Sequence, residues 1–177
     1  MKYRLFMPAS DQVWGNAILS RYPLRLLSSG FLPEFDAPLR RSFLLAEVDL
    51  ADSSNANTDF IGNINILCTH IHHIKGQGYI REKQIEAILD AWNGLDRTAI
   101  MGDFNARDYE PEIMMMKNSG FIDSQAAMNK TDELTWVHYE PYERIDYIWV
   151  TPDIEISNLA VPYSTASDHL PVVVDMK

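Results

Sequence analysis

The stretch Thr98-Ala99-Ile100-Met101-Gly102-Asp103-Phe104-Asn105 decides how this chain arranges its polar residues. Its apolar half predicts a short buried strand, and Gly102 permits the sharp turn at which that strand ends. Residues two apart on an extended chain point the same way, so Asp103 and Asn105 are expected to face one site while Phe104 turns into the core. Because Asp and Asn are common turn formers, the stretch taken alone favours a plain turn.

Three further motifs change that balance. Thr69-His70, Arg144-Ile145-Asp146-Tyr147 and Ser167-Asp168-His169 each place an acid or an imidazole at the border of an apolar run. A strand delivers its last side chains to a sheet edge at such a border. Acids, amides and imidazoles gathered in this way suit divalent-metal hydrolysis of a phosphoester. With all four motifs present, a functional site is favoured over a turn.

Asp146 carries much of this interpretation, because it lies between apolar neighbours and is predicted to be largely buried. A buried carboxylate needs a partner. Pairing with His169 would satisfy it, fix the imidazole tautomer and raise the basicity of the ring. Pairing with Arg144 is the purely structural alternative.

The histidines near the end of the strand 62–70 raise the possibility of zinc. No Cys pair and no helical His-x-x-x-His pattern accompanies them, so a preformed zinc centre is not predicted. His70 is predicted to be the site residue. His72 and His73 are predicted to be solvated loop residues, with contact of one of them to substrate as the alternative. Asn16, at the start of another apolar run, either contacts a substrate phosphate or caps a turn, and the turn is favoured.

Composition bears on the class of partner. The 177 residues fit one domain, 1–177, and the formal charge of −10 repels a polyanion. A small phosphodiester or a lipid headgroup is therefore favoured over long duplex DNA, with a nuclease as the alternative. The single cysteine, Cys68, excludes an internal disulfide and is predicted to be a buried, inert thiol. No apolar stretch approaches the ~20 residues of a membrane helix, and no signal peptide is seen, so the chain is expected to be soluble and untargeted.

Hydrophobic periodicity predicts an α+β sandwich, with sheets packed face to face and helices outside. A helix is predicted from the repeat of Ile85, Ile88, Leu89 and Trp92, and it ends at Asn93-Gly94. Gly30–Pro38 is predicted to be a loop, and the runs 42–50 and 62–70 a hairpin whose tip is 51–57. The remaining predictions are a helix over Pro111–Asn118 and strands over Ala17–Ser20, Ser42–Leu50, Gly62–His70, Thr98–Met101, Leu134–Val137, Ile145–Val150, Ile154–Ala160 and Val172–Val174.

From about Gly15 to Lys177, these motifs and their order resemble the endonuclease/exonuclease/phosphatase superfamily. That superfamily includes deoxyribonuclease I, abasic-site endonucleases, sphingomyelinases and inositol-polyphosphate 5-phosphatases. The most specific signals are Gly102–Asn105 and the run from Ser167 to Val172. The resemblance implies a four-layered α/β sandwich, deoxyribonuclease I-like, with mainly antiparallel central sheets. It also implies hydrolysis of phosphoesters with Mg²⁺ or Mn²⁺.

The resemblance further implies roles for individual residues. Asp103 would place or activate the attacking water, and Asn105 would hold a phosphate oxygen. His169, oriented by Asp146, would act as a base or contact the phosphate. His70 would stabilise the transition state or assist the leaving oxygen. The implied catalytic set is completed by Asp168, the implied metal ligands are Asp103, Asn105 and Asp168, and the implied substrate contacts are Asn16 and Asn105.

One feature departs from the superfamily pattern. Members open with a strand, a helix and a strand that ends in a metal-binding Glu, all before the segment that matches Gly15 to Arg21. Only fourteen residues precede Gly15 here, none of them Glu, and Glu34 and Glu47 follow that segment. The expectation is an N-terminally truncated domain with weak metal affinity, low activity and exposed sheet edges that favour self-association. A non-catalytic remnant that serves binding or self-association is the alternative.

The substrate is not readable from these motifs. In the superfamily, loops between the strands select it, and the loops Leu24–Arg41 and Asp123–Thr131 are the expected determinants here.

Overall fold

A six-stranded mixed sheet forms the centre of the computed structural model, which describes residues 1–11, 13–50 and 62–177. Among these residues, no helix is both long and apolar enough to span a membrane. The strands are β1 (Tyr3–Pro8), β2 (Gly15–Ser20), β3 (Leu24–Phe31), β4 (Ser42–Asp49), β5 (Asn63–His70), β6 (Thr98–Asp103), β7 (Ile122–Asp123), β8 (Asp146–Val150), β9 (Ile156–Ala160) and β10 (Val173–Met176). The helices are α1 (Gly78–Trp92), α2 (Pro111–Asn118) and α3 (Ser124–Ala127).

The central sheet has the order β3-β4-β5-β6-β8-β7. Among the strands of the described residues, β5 and β6 alone pair in parallel, and the helix α1 makes the crossover between them. The antiparallel pairing of β4 with β5 confirms the predicted hairpin, whose predicted tip, 51–57, lies outside the described residues. The α+β class is therefore confirmed, with a central sheet that is mixed.

The two faces of the sheet are covered differently. On one face, Ile85 and Ile88 of α1 and Ile113 of α2 pack with sheet residues such as Leu67 and Trp149 in the largest apolar cluster. Two smaller clusters are formed by other sheet residues with residues from the two-stranded sheets β1–β2 and β9–β10. The central sheet thus lies between a helical layer and a layer of short strands. The fourth layer of the predicted sandwich stays a prediction.

The helix predictions match the structure closely. Helix α1 ends at Asn93, whose left-handed backbone (φ +50°) lets its N–H donate to the carbonyl of Leu89. Helix α2 begins at Pro111, as predicted, where the missing N–H of proline costs nothing.

Three strands, β1, β3 and β7, appear where the sequence predicts none. β3 occupies Leu24–Phe31, so the predicted loop Gly30–Pro38 and the proposed specificity loop Leu24–Arg41 both begin inside a strand. Its Ser28-Ser29-Gly30 segment is typical of a turn, but β3 is an edge strand with a register shift between Leu26 and Ser28. Edge strands tolerate polar residues and bulges because one side of the ladder is unpaired. β1 was likewise not predicted, and neither were the short elements β7 and α3.

One predicted strand is wrong. Leu134–Val137 forms no strand, and only Trp136 makes isolated bridges, to Glu143 and to His169. The segment is largely apolar, but its backbone hydrogen bonds go to two partners that lie outside the strands. The N–H of Trp136 donates to the carbonyl of Glu143, and the carbonyl of Thr135 accepts from the N–H of Leu170.

Candidate active site

The parallel pairing of β5 with β6 brings the ends of two predicted motifs together. In this register His70 lies opposite Asp103, and on the other side of β6 Asp103 lies opposite Asp146. The imidazole Nε2 of His70 is 3.2 Å from Oδ2 of Asp103. Residues far apart in sequence therefore meet at one end of three neighbouring strands.

Gly102 permits this closeness. Its backbone has φ +148°, in the region that favours glycine, and a Cβ built there would lie 1.9 Å from the carbonyl oxygen of Thr69. No side chain fits at that distance. A glycine is required at this position by the contact between β5 and β6, in addition to the turn that sequence reasoning assigned to it.

His169 is oriented by a chain of hydrogen bonds. Its Nδ1 donates to Oδ2 of Asp146 at 2.8 Å, and the same oxygen accepts from the hydroxyl of Thr135 at 2.6 Å. The hydrogen bond that His169 donates to Asp146 raises the pKa of His169 above its usual 6.5, against the opposing effect of burial. With Nδ1 held in this way, Nε2 is the ring nitrogen left for proton exchange. The predicted pairing of Asp146 with His169 is thus present.

Asp103 lies at the centre of the group. Its Oδ2 is 3.9 Å from Nε2 of His169, and its Oδ1 accepts from the backbone N–H of Asn105 at 2.7 Å. Asn105 has a left-handed backbone, with φ +48°, and its amide donates to the carbonyl of Ile71 at 3.1 Å. The side chain of Asn105 lines the same cavity as Asp103, while Phe104 between them is fully buried, as predicted.

Asp103, Asp146 and His169 form a group that could hold a metal ion, since one ligand atom of each lies within 4.8 Å of the others. The two carboxylates suit Mg²⁺ or Mn²⁺, and the imidazole suits Mn²⁺ better than Mg²⁺. The fit is incomplete, because Oδ2 of Asp146 already accepts from His169 and Thr135. An ion held here would keep water molecules as further ligands.

Two predicted site residues, Asp168 and Asn16, are not members of this metal-binding group. Asp168 is exposed, and its Oδ1 accepts from the hydroxyl of Ser167 at 3.2 Å. Asn16 is buried, and its amide donates to the carbonyl and the hydroxyl of Ser42 at 2.7 and 3.0 Å. The metal roles predicted for Asp168 and Asn105, and the substrate contact predicted for Asn16, stay predictions.

The prediction that His72 is a solvated loop residue is wrong. His72 is fully buried, its Nε2 lies 2.6 Å from the amide oxygen of Gln77, and its backbone N–H donates to Gln84. His73 is exposed as a residue, but its Nδ1 lies 3.1 Å from the guanidinium of Arg41. The predicted buried thiol, Cys68, is half-buried, and burial raises its pKa to about 11, which keeps the thiol protonated and unreactive.

The site opens into two cavities. The first, of about 480 Å³, contains His70, Asp103, Asn105 and His169, and the second, of about 380 Å³, shares Asp103 and His169 with it. Sequence reasoning missed most of the other residues of the first cavity. These are Trp14, Leu39, Arg41, Lys75, Trp136, Glu143 and Ile145.

One of the missed residues, Glu143, is held by two cations. Its buried carboxylate contacts the guanidinium of Arg107, and Nζ of Lys75 lies 3.3 Å away. Burial acts to raise the pKa of Glu143, but the two cations outweigh it and the pKa is lowered. Glu143 therefore lines the cavity as a charged carboxylate that is paired with Arg107 and Lys75.

The comparisons with known proteins agree with this architecture. The catalytic domain of human Nocturnin with a bound sulfate anion superposes with a TM-score of 0.70 and 17% sequence identity, over 99% of this chain and 71% of that one. A mannosyl-6-phosphatase from Bacteroides thetaiotaomicron gives 0.66 and 19%, over 87% and 67%. D. rerio TDP2 complexed with a single-stranded DNA product gives 0.61 and 20%, over 87% and 68%. No curated protein matches the sequence.

The mixed central sheet, with helices on one face and short strands on the other, is a deoxyribonuclease I-like α+β fold. The model of the Endonuclease/Exonuclease/phosphatase family matches residues 3–169, and the chain belongs to that family. The structures above share the fold at identities too low to transfer a specific activity. The predicted truncation at the N-terminus stays a prediction.

Proposed function

We propose that this protein hydrolyses a phosphoester by in-line attack of water, assisted by a divalent cation. The observation that carries the proposal is the hydrogen-bonded chain Thr135–Asp146–His169, which leaves Nε2 of His169 beside the carboxylate of Asp103. An imidazole whose orientation is fixed and whose second nitrogen is free suits general-base catalysis. The hydrogen bond to Asp146 raises the pKa of His169, which makes the ring a stronger base than a free imidazole.

The residues divide the reaction between them. The oxygen of a water molecule bonds to phosphorus as the ester oxygen leaves with its electron pair, and the proton of the water passes to Nε2 of His169. Asp103 orients the water, and His70, at 3.2 Å from Asp103, stabilises charge on the phosphate oxygens when it is protonated. Asn105, on the same cavity, holds a phosphate oxygen by hydrogen bonding.

Asp103, with Asp146 beside it, would hold the cation that the family fold implies, and Nε2 of His169 would then stay free to accept the proton. When bound, Mg²⁺ or Mn²⁺ supplies positive charge that neutralises the phosphate and lowers the pKa of a bound water. Asp168 and Asn105 are the further ligands that the sequence predicts. Because Asp146 is shared with His169, we propose weak binding of the cation.

The substrate that we propose is a small phosphoester. Mannosyl-6-phosphatase is named for a sugar phosphate and the TDP2 structure holds DNA, so the fold by itself does not choose between them. The formal charge of −10 does favour the small substrate, since a long polyanion would be repelled.

The proposal is tested with bis-(p-nitrophenyl) phosphate and Mn²⁺. The variants are Asp103→Ala and His169→Ala, and the matched control is Asp90→Ala on the exposed face of α1. Removal of a general base lowers the rate by about 10²–10⁴-fold. We therefore expect both site variants to lose that factor while the control keeps the wild-type rate.

The competing function is a non-catalytic domain of the same fold that serves binding or self-association. In that case the wild type, Asp103→Ala and His169→Ala would release p-nitrophenol at the same background rate. Sedimentation velocity on the wild-type chain then measures whether it self-associates.

A further inference from the structure

Arg41 is a buried cation that the proposed hydrolysis does not use. It immediately precedes β4, is 2% exposed, and lines the larger cavity together with His70 and Asp103. Its guanidinium lies over the ring of Trp14, 5.4 Å from the centroid. The side chain is therefore held in place by packing.

Most of the hydrogen-bonding capacity of Arg41 is unused. Nη2 lies 3.1 Å from Nδ1 of His73, but Nε and Nη1 make no hydrogen bond within the part of the chain that the structure describes. An unsatisfied donor on a buried charge costs stability, so such groups are rare unless a ligand completes them. Burial lowers the pKa of Arg41 to about 10, while the charge of Asp103 acts in the opposite direction.

Two other buried arginines behave differently. Arg81 is paired with the fully buried carboxylate of Glu112, and Arg144 donates to Asp123 at 2.9 Å. In those cases a carboxylate compensates for the loss of water around the guanidinium. Arg41 has a neutral imidazole where they have an acid, so its positive charge remains available to an anion in the cavity.

We propose that Arg41 binds a second phosphate group of the substrate, adjacent to the ester that is hydrolysed. The planar fork of a guanidinium matches the oxygens of a phosphate, and the two free nitrogens are the donors that such a contact requires. The ester lies at Asp103 and His169, and the second phosphate lies against Arg41 and Trp14. The substrate class is a small phosphoester with two phosphate groups. This inference rests on the proposed function for the identity of the ester but not for the binding of the anion.

Binding is tested first, without metal and without turnover. Inorganic pyrophosphate is titrated by calorimetry into the wild type, Arg41→Met and Arg41→Lys, with Arg25→Met as the control because Arg25 is exposed and paired with Glu47. Loss of a charge-assisted contact weakens binding by about tenfold or more. We expect that loss in both Arg41 variants and none in Arg25→Met. Equal affinity in all four proteins would overturn the proposal whether or not the chain hydrolyses any ester.

The same titration distinguishes the sources of the second phosphate. Glucose 1,6-bisphosphate is compared with glucose 6-phosphate, and thymidine 3′,5′-bisphosphate with thymidine 5′-phosphate. The bisphosphate of at least one pair is expected to bind about tenfold more tightly, with the preference lost in Arg41→Met. The pair that shows it identifies a sugar or a nucleoside as the carrier. No preference in either pair argues against a second phosphate.

Thermal stability separates a ligand-binding arginine from a structural one. Arg41→Met removes an unsatisfied buried charge, so its Tm without ligand is expected to equal or exceed that of the wild type. Arg81→Met leaves Glu112 buried without its partner and is expected to have a lower Tm. If Arg41→Met melts as early as Arg81→Met and Arg41→Lys binds pyrophosphate as the wild type does, Arg41 is structural and the proposal fails.

Hydrolysis supplies the last comparison where turnover is measurable. Thymidine 5′-(p-nitrophenyl phosphate) is compared with the same compound carrying a 3′-phosphate. We expect the added phosphate to lower KM about tenfold in the wild type and to have no effect in Arg41→Met. Retention of that effect in Arg41→Met would contradict the assignment.

Discussion

The partner of His169 is an example of a side-chain contact that could be predicted from the sequence. Asp146 lies among apolar neighbours, and the need of a buried carboxylate for a partner was enough to suggest His169, now found at 2.8 Å. The alternative partner, Arg144, binds Asp123. Thr135 and Arg41 were missed because their contacts join segments far apart in the chain, and no local pattern records such contacts.

At the residue scale, Asp146→Asn is expected to lower the pKa of His169. The charged partner raises that pKa in the wild type, and the amide removes the charge while keeping the shape. A titration of the imidazole signals by NMR measures the change, with His73 as the internal control because its ring partner is Arg41. An unchanged His169 titration would show that Asp146 does not control the ring.

The same shift makes stability depend on pH in a defined direction. A pKa that is raised on folding means that the protonated ring stabilises the folded state below the unfolded value of about 6.5. That contribution is lost as the pH rises through the higher folded pKa. The difference in Tm between the wild type and His169→Asn is therefore expected to be largest in acid and to shrink with rising pH. A difference that grows with pH would contradict this sign.

At the scale of elements, buried strands were easier to predict than edge strands. β6 and β8 each contain a short apolar run, and their predicted positions agree with the structure to within two residues at each end. β3 was missed because an edge strand is not required to alternate or to exclude serine and glycine. The strand predicted over Leu134–Val137 is wrong for the opposite reason. The run is apolar, but within it Trp136 makes only isolated bridges, to Glu143 and His169, and no continuous strand pairing. Hydrophobic periodicity indicates which side chains are buried, whereas a strand is defined by its backbone hydrogen bonds to a neighbouring strand.

Gly102→Ala is expected to destabilise the fold by about 2–4 kcal/mol. The new methyl group would lie 1.9 Å from the carbonyl oxygen of Thr69 and force β5 and β6 apart. Gly120→Ala is the matched control, because Gly120 also has a positive φ (+89°) but open space around the added atom. Denaturant unfolding of both variants isolates the clash from the backbone strain. Equal losses in the two variants would mean that the close approach of the strands is not what requires glycine.

The buried pair Arg144–Asp123 is expected to fix β7 and α3 to β8. Asp123 also accepts from the backbone N–H of Gln125 at the start of α3, so its removal leaves both a cation and a helix end without a partner. Asp123→Ala is expected to cost about 3–5 kcal/mol. Glu47→Ala, which breaks an exposed pair with Arg25, is expected to cost about 1 kcal/mol or less. Similar losses in urea denaturation would contradict this difference.

At the scale of the whole molecule, net charge was the feature that sequence described most directly. The chain carries 25 acidic and 15 basic residues, and its isoelectric point is about 4.8. What composition could not reveal is that Arg41 and Lys75 share one cavity with the acid–imidazole group. In a protein that is acidic overall, a site with local positive charge forms only where folding brings basic side chains together.

The protein is expected not to retain duplex DNA at an ionic strength of about 0.15 M. Fluorescence anisotropy of a labelled duplex measures this, with a nucleotide bisphosphate as competitor. A protein that neutralises several phosphates shows a steep dependence of affinity on salt. Tight binding with such a slope would favour a nuclease over the small-substrate hydrolase proposed here.

Asp103 and His169 border both the larger and the smaller cavity. Solvent can therefore reach these two residues from both cavities. A compound bound in one cavity would leave the other cavity open to water. An inhibitor that excludes water from the site therefore needs two groups, one bound in each cavity.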